Sequence, residues 1–217
     1  MIASGTIQSV RVGSATVLRD GVMTGYRKIP AEGAVRVGKL GLEGDTQVNK
    51  RFHGGPEKAV YGYPVSGYAG WQSEFPALAA QFVPGAMGEN LPVLGQDETS
   101  LCIGDIIRCG SALLQVAQIR EPCSTFSAIH GTAKVARAMT RSGRCGWYYR
   151  VLEPGMITAG DAHDVIERWH PDWPVARLAS IATGKAGTRE ALAELSGLKG
   201  LTPAWQRRAA EMLERQL

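Results

Sequence analysis

Long apolar runs are missing from this 217-residue chain, and so is a basic-then-apolar leader: it begins Met1-Ile2-Ala3-Ser4-Gly5-Thr6. No segment approaches the roughly 20 residues that a bilayer-spanning helix needs, so the expectation is an unexported, cytoplasmic protein with no membrane partner. Cysteine is scarce. Cys102, Cys109, Cys123 and Cys145 show neither CxxC spacing nor the density of a secreted disulfide scaffold, which fits a reducing compartment. The GxxxxGK[ST] run of a nucleotide P-loop is absent, as is the dinucleotide fingerprint. Nothing in the chain binds flavin or nicotinamide. Net charge is modest; +4 and a pI near 9.0 permit an anionic ligand without specifying one. Internal repeats and low-complexity segments are also lacking.

What is present reads as a β-rich α+β protein. Short β-branched stretches at Thr6 to Val12 and Ala34 to Val37, and longer runs at Leu101 to Cys109 and Ala112 to Ile119 around Gly110-Ser111, predict strands. Leu91 to Leu94 and Trp147 to Leu152 add two more. Helices are predicted near Val65 to Glu74 and Thr132 to Thr140, so the strands should form a barrel with helical insertions. After Trp169-His170-Pro171-Asp172-Trp173-Pro174 the pattern becomes helical: Val175 to Ala182, Thr188 to Ser196 and Thr202 to Gln216. Thr202 reads as an N-cap with Pro203 at the first helical position. The expected division is a barrel domain over 1–166 and a three-helix domain over 170–217.

Cys123 lies in Ile119-Arg120-Glu121-Pro122-Cys123-Ser124-Thr125-Phe126, just past a strand that Pro122 cannot extend. A loop rooted on a strand is held firmly yet open, and Arg120 would favour the thiolate, the form that binds metals and attacks electrophiles. Taken alone, a cysteine is more often a packed thiol. A second segment runs from Gly41 to Val60 and spends heavily on glycine and charge. Its Gly54-Gly55 pair permits close backbone approach to an anion, with Lys50, Arg51 and His53 adding positive charge. A solvated glycine-rich turn is the competing reading. The third segment, Met87-Gly88-Glu89-Asn90-Leu91-Pro92, sets an amide that can bond a heteroaromatic edge beside a carboxylate that can equally cap a turn.

Together, Gly41-Leu42-Glu43-Gly44-Asp45, His53-Gly54-Gly55-Pro56, Gly88-Glu89-Asn90-Leu91, Gly104-Asp105 and Pro122-Cys123, in this order and spacing, resemble the MOSC domain family. Within it they resemble the YiiM-like subgroup, whose members carry a three-helix domain after the barrel. The resemblance implies a MOSC-type β-barrel that binds molybdenum cofactor (molybdopterin), a pyranopterin dithiolene with a phosphate, with Cys123 as the metal ligand and catalytic centre. It further implies cofactor contacts from Arg51, His53, Gly54, Gly55, Glu89 and Asn90. Arg120 and Thr125 would orient the ligand, and Arg27 and Lys28 are added on charge alone. Many relatives have a lysine two places after the Pro-Cys pair, where this chain has Thr125; its task passes to Arg120 or is lost. Cys102, Cys109 and Cys145 match no ligand position.

The activity this implies is reduction of small N-hydroxylated substrates such as 6-hydroxylaminopurine, with electrons from an external reductase; a homodimer is possible. A carrier of cofactor or sulfur on Cys123 without turnover is the alternative, weakened because the chain lacks a pyridoxal-phosphate domain to supply sulfur. A helix-turn-helix over Thr188 to Gln216 is disfavoured. From Val165 onward eight cations face six carboxylates, too thin an excess for phosphate backbones, so no nucleic acid polymer is expected as partner.

Overall fold

The computed structural model describes residues 2–18, 21–48, 54–185 and 187–215. Among the described residues fourteen strands run in chain order: β1 Ser4–Ile7, β2 Arg11–Val12, β3 Thr16–Val17, β4 Met23–Thr24, β5 Ile29–Pro30, β6 Val35–Gly38 and β7 Gly41–Leu42, then β8 Val60–Pro64, β9 Leu91–Leu94, β10 Ile106–Cys109, β11 Ala112–Ile119, β12 Trp147–Glu153, β13 Gly155–Ile157 and β14 Ala162–Glu167. Seven of them close a barrel in the order β1-β14-β10-β11-β12-β8-β9. All neighbours are antiparallel except β8 and β9, and a parallel pair requires a crossover. Here the crossover is helix α1, Gly67–Glu74, followed by a 3-10 turn at Pro76–Gln81. The fold is therefore the β-barrel with helical insertions that the strand and helix patterns imply.

Glycine sets the β10–β11 hairpin. Gly110 has φ +54, and a Cβ there would stand 2.2 Å from the Met156 carbonyl oxygen, so both conformation and space exclude a side chain. Two predicted strands are shorter than their β-branched composition suggests. The Thr6 to Val12 run divides into β1 and β2, and Leu101 to Asp105 forms a turn instead of extending β10. The reason is Asp105: its carboxylate accepts the Cys102 N–H at 2.9 Å, closing a turn through Gly104 at φ +84. Both oxygens also accept from Arg168, Nε at 2.9 Å and Nη2 at 2.6 Å. This forked pair ties the barrel to the start of the C-terminal link.

Two further helices follow β11: α2, Ser124–Ile129, and α3, Ala133–Ser142. The C-terminal segment contributes α4 Val175–Ala182, α5 Arg189–Ser196 and α6 Pro203–Glu214. Their buried faces, among them Leu178, Leu192, Leu195 and Trp205, join one continuous apolar cluster with barrel residues such as Leu114, Val116 and Trp147. All four cysteines are free thiols; Cys102, Cys109 and Cys145 are buried and Cys123 only partly so. Among the described residues no helix is long and apolar enough to cross a membrane.

His163 is fully buried on β14, hydrogen-bonded to the Tyr149 hydroxyl at 2.6 Å and to Gln96. Burial lowers its pKa to about 4. The folded state therefore resists protonating a group that the unfolded chain protonates near pH 6.5. Stability from this source is complete above about pH 6.5 and lost as pH falls towards 4, amounting to roughly 3 kcal/mol at 1.36 kcal/mol per pKa unit. His130, also lowered to about 4 by burial, adds in the same sense. Glu89 and Glu98, raised by burial, act in the opposite one. His163→Gln is expected to flatten the loss of urea resistance between pH 6.5 and 4; an unchanged slope would refute the assignment.

Candidate active site around Cys123

β11 ends at Ile119, Arg120 to Pro122 lead out of it, and Cys123 stands in extended conformation (φ −128, ψ 175) as the N-cap residue of α2. The sequence pattern indicated a plain loop there; the structure starts a six-residue helix on the next residue. Cys123 lines a cavity of about 240 Å³ together with Arg120, Ser124, Thr125, Lys58, Tyr61 and Tyr148. The opposite wall comes from the β3–β4 hairpin, the Gly25–Lys28 segment, residues 45–48 and the Met87-Gly88 turn.

Arg120 is the electrostatic centre of this wall. It is 3% exposed, and its guanidinium carbon lies 4.9 Å from the Phe126 ring centroid, 5.7 Å from Tyr61 and 5.9 Å from Tyr26. Nη1 reaches Met139 Sδ at 3.7 Å, and no carboxylate forms an ion pair with it among the described residues. Arginine keeps its charge in such a place, and aromatic faces offset part of its desolvation. The result is a buried cation facing a cavity beside a thiol.

Lys28 behaves differently. Its ammonium pairs with Asp45, and both side chains are almost fully buried. Burial lowers the Lys28 pKa while Asp45 raises it, so the lysine is neutralised within the wall. Asp45 also accepts from the Gly13 N–H at 2.9 Å and from Asn90 Nδ2 at 3.0 Å. Asn90 donates a second bond to the Arg11 carbonyl, 3.1 Å, and accepts the Tyr61 N–H at 3.1 Å. Both amide hydrogens are thus committed to protein. Asn90 lines the cavity as a knot joining the N-terminal segment to β8.

Glu89 lies behind the wall, fully buried, accepting from the Tyr68 hydroxyl, the Gly85 N–H and the Met87 N–H. It closes the 85–88 turn and is not among the cavity-lining residues. Gly88, at φ +77, leaves room for the Tyr26 ring, which a Cβ would meet at 2.9 Å. Gly25 is tighter still, since a Cβ there would fall 1.8 Å from the Thr46 carbonyl oxygen. Gly25→Ala must push the two wall segments apart. It is expected to cost about 1–3 kcal/mol, as overpacking does, read as a fall in urea midpoint; an unaltered midpoint would show that the wall yields freely.

The structure brings Cys123, Arg120, Thr125, Lys28 and Asn90 to one cavity and leaves other expected residues elsewhere. Arg27 is exposed and does not line it. Gly54 is partly buried outside it, and Gly55, at φ +85, starts the Pro56–Lys58 turn beside a separate depression. Arg51 and His53 lie outside the described residues. Sequence reasoning missed Lys58, Tyr26, Tyr61 and Tyr148. Tyr61 and Tyr148 are direct cross-strand partners on β8 and β12 and share one face, but barrel closure alone decides that they meet Arg120.

These residues suit one kind of metal centre. No group of three or more histidine, cysteine or carboxylate side chains capable of holding a bare ion occurs among the described residues. The described residues offer Cys123 as a soft thiolate ligand, and thiolate suits a metal already held by sulfur. Among the described residues that line the cavity, Lys28, Lys58 and Arg120 are cationic and Asp45, paired with Lys28, is the one carboxylate. That balance fits an anionic group, and a dithiolene cofactor with a phosphate has this chemistry.

Barrel, thiol-bearing strand end and helical tail together define the class: the chain belongs to the MOSC domain family, whose model matches residues 49–164. Within that family it is 35% identical to Protein YiiM of Escherichia coli (strain K12), over 91% of this chain and 88% of that one. The crystal structure of YiiM from Escherichia coli superposes with a TM-score of 0.83 at 30% identity, covering 99% of this chain and 94% of that one. A protein named Reductase from Gibberella moniliformis (strain M3125 / FGSC 7600) is 31% identical over 89% of this chain, which spans 35% of its length.

Proposed function

We propose that this protein is an oxidoreductase that holds molybdenum cofactor through Cys123 and reduces small N-hydroxylated bases, of which 6-hydroxylaminopurine is the type, with electrons from a separate reductase. One observation carries the reading: of the four thiols, the partly exposed one opens on a cavity in which the one carboxylate among the described lining residues, Asp45, is already bound to Lys28. The cationic excess beside a soft ligand is what an anionic sulfur-ligated metal group needs. Family membership and a relative named Reductase support the same direction.

When bound, the cofactor supplies the two-electron chemistry that removes oxygen from nitrogen. The chain's own residues bind, orient and shield. Cys123 provides the thiolate from a backbone fixed by Pro122 on one side and α2 on the other. Arg120, locked among three rings, offsets negative charge without moving. Lys58, whose pKa burial lowers, stands in the same wall and can pass a proton to a departing hydroxyl more readily than an exposed lysine. Tyr61 and Tyr26 keep their hydroxyl protons on the backbone carbonyls of Cys145, 2.8 Å, and Ala86, 2.9 Å. Their rings, which also face Arg120, form an aromatic part of the cavity lining. No flavin or nicotinamide motif occurs in the chain, so the electron source is a partner.

The test is turnover of 6-hydroxylaminopurine to the amine by cofactor-loaded protein with a chemical reductant such as reduced viologen. Loss of substrate should require both protein and reductant. Full loading with no conversion of any N-hydroxylated base would overturn the proposed activity.

A further inference from the structure

The strand that leads to the thiol is gripped from outside by the C-terminal helices, at a residue that departs from its expected local behaviour. Thr202 occupies the N-cap position of α6, with φ −65 and ψ 145 and Pro203 next in the chain. In that position a threonine hydroxyl ordinarily accepts from the helix's own first N–H groups. Thr202 makes no such bond. Its hydroxyl turns away and donates to Gln118 Oε1 at 3.0 Å, while its backbone N–H donates to the Ala117 carbonyl at 3.2 Å.

Both acceptors sit at an irregularity of β11. The register against β12 slips between Val116 and Gln118, leaving Ala117 without a partner in that pairing, the signature of a bulge. The tail thus supplies a donor to the carbonyl of the residue at the slip. Gln118, oriented by Thr202, donates Nε2 to the Ile119 carbonyl at 3.2 Å. That carbonyl belongs to the peptide joining Ile119 to Arg120, and Cys123 is three residues further on. Thr202 is 1% exposed and Gln118 5%, so water cannot substitute for either partner and the relay is stiff. A second tie, Arg208 Nη1 to Glu121 Oε1 at 2.8 Å, lies on the surface and holds weakly.

We propose that Thr202 is a positioning residue for the Cys123 site: by way of Gln118 it fixes the Ile119–Arg120 peptide, and so sets where the buried guanidinium stands relative to the thiol. The helical tail is then a structural member of the site. This rests on Cys123 and Arg120 forming one site, but it does not depend on which group binds there.

The experiment is alkylation by iodoacetamide, across pH, of the full-length protein purified from molybdate-starved cells so that Cys123 carries no metal, with mass spectrometry reading each cysteine separately and thermal unfolding run on the same samples. Cys102, Cys109 and Cys145 are buried and serve as internal controls for unfolding. Thr202→Val keeps the shape and removes the hydroxyl; it should slow Cys123 labelling at pH 7 by about fivefold and raise its pH midpoint, because the thiolate loses a well-placed cation. Thr202→Ser should restore the rate. Gln118→Met cuts the same relay from the barrel side and should reproduce the slowing. Leu192→Ala, which loosens α5 without touching β11, should label as wild type does. Wild-type labelling in both relay variants, or equal slowing in Leu192→Ala, would overturn the proposal. Molybdenum content of the wild-type protein purified from molybdate-replete cells tells the two claims apart: relay-dependent labelling in a protein that never binds molybdenum keeps the positioning role and overturns the cofactor reading.

Discussion

Cys123→Ser is expected to yield a folded protein that has lost its molybdenum and all turnover of N-hydroxylated bases. Serine preserves size and the extended N-cap geometry, and hydroxyl oxygen caps a helix at least as well as sulfur, so α2 should form as before. What changes is ligand chemistry. An alcohol stays protonated at neutral pH and is a hard donor, whereas thiolate is soft and anionic. No cluster of metal-binding side chains stands by to replace it among the described residues, so retention should fall by at least roughly tenfold, as loss of a first ligand exceeds the 10- to 100-fold effect of losing an orienting neighbour. Metal analysis after gel filtration, with circular dichroism to confirm the fold, measures this directly. A variant that kept both molybdenum and activity would remove Cys123 from the site.

The largest expected effect on stability lies away from the cavity. Asp105 is fully buried and satisfies the Cys102 N–H as well as the fork of Arg168, which remains 18% exposed. Asp105→Ala strands a largely desolvated guanidinium and orphans a buried N–H. Breaking one partner of such a pair costs about 3–5 kcal/mol, and the residual access of Arg168 to water argues for the lower end. Asp105→Asn retains an acceptor for the Cys102 N–H and should cost distinctly less. Urea unfolding at pH 7 should show the midpoint falling in the order wild type, Asn, Ala with the slope unchanged. Equal midpoints for Asn and Ala would mean that the turn bond to Cys102 contributes nothing.

The sequence made some of this architecture legible and hid the rest for identifiable reasons. β11 and the three C-terminal helices follow from alternation, apolar faces and the Thr202-Pro203 start, all local signals. Cys123 is legible as a thiol at a strand end, and its ordered company of glycine-rich segments points to the MOSC family. Chemistry that depends on closure is not written locally. Tyr61 and Tyr148 acquire meaning only where β8 and β12 pair and turn their rings towards Arg120. Glu89 and Asn90 are adjacent in sequence, yet one closes a turn behind the wall and the other knots it from within. Arg27 and Lys28 show the same divergence, one exposed and the other buried against Asp45. Thr202 is correctly read as the first residue before a helix, but nothing local tells that its hydroxyl leaves the helix for Gln118.

The central claim is that the cavity beside Cys123 holds a sulfur-ligated molybdenum group, and its most direct measurement is the molybdenum and pterin content of freshly purified full-length protein from molybdate-replete cells. The account predicts both in near-stoichiometric and equal amounts, with both lost in Cys123→Ser. Protein that carried a single added sulfur on Cys123 and no pterin, or that reduced N-hydroxylated bases while free of molybdenum, would contradict it.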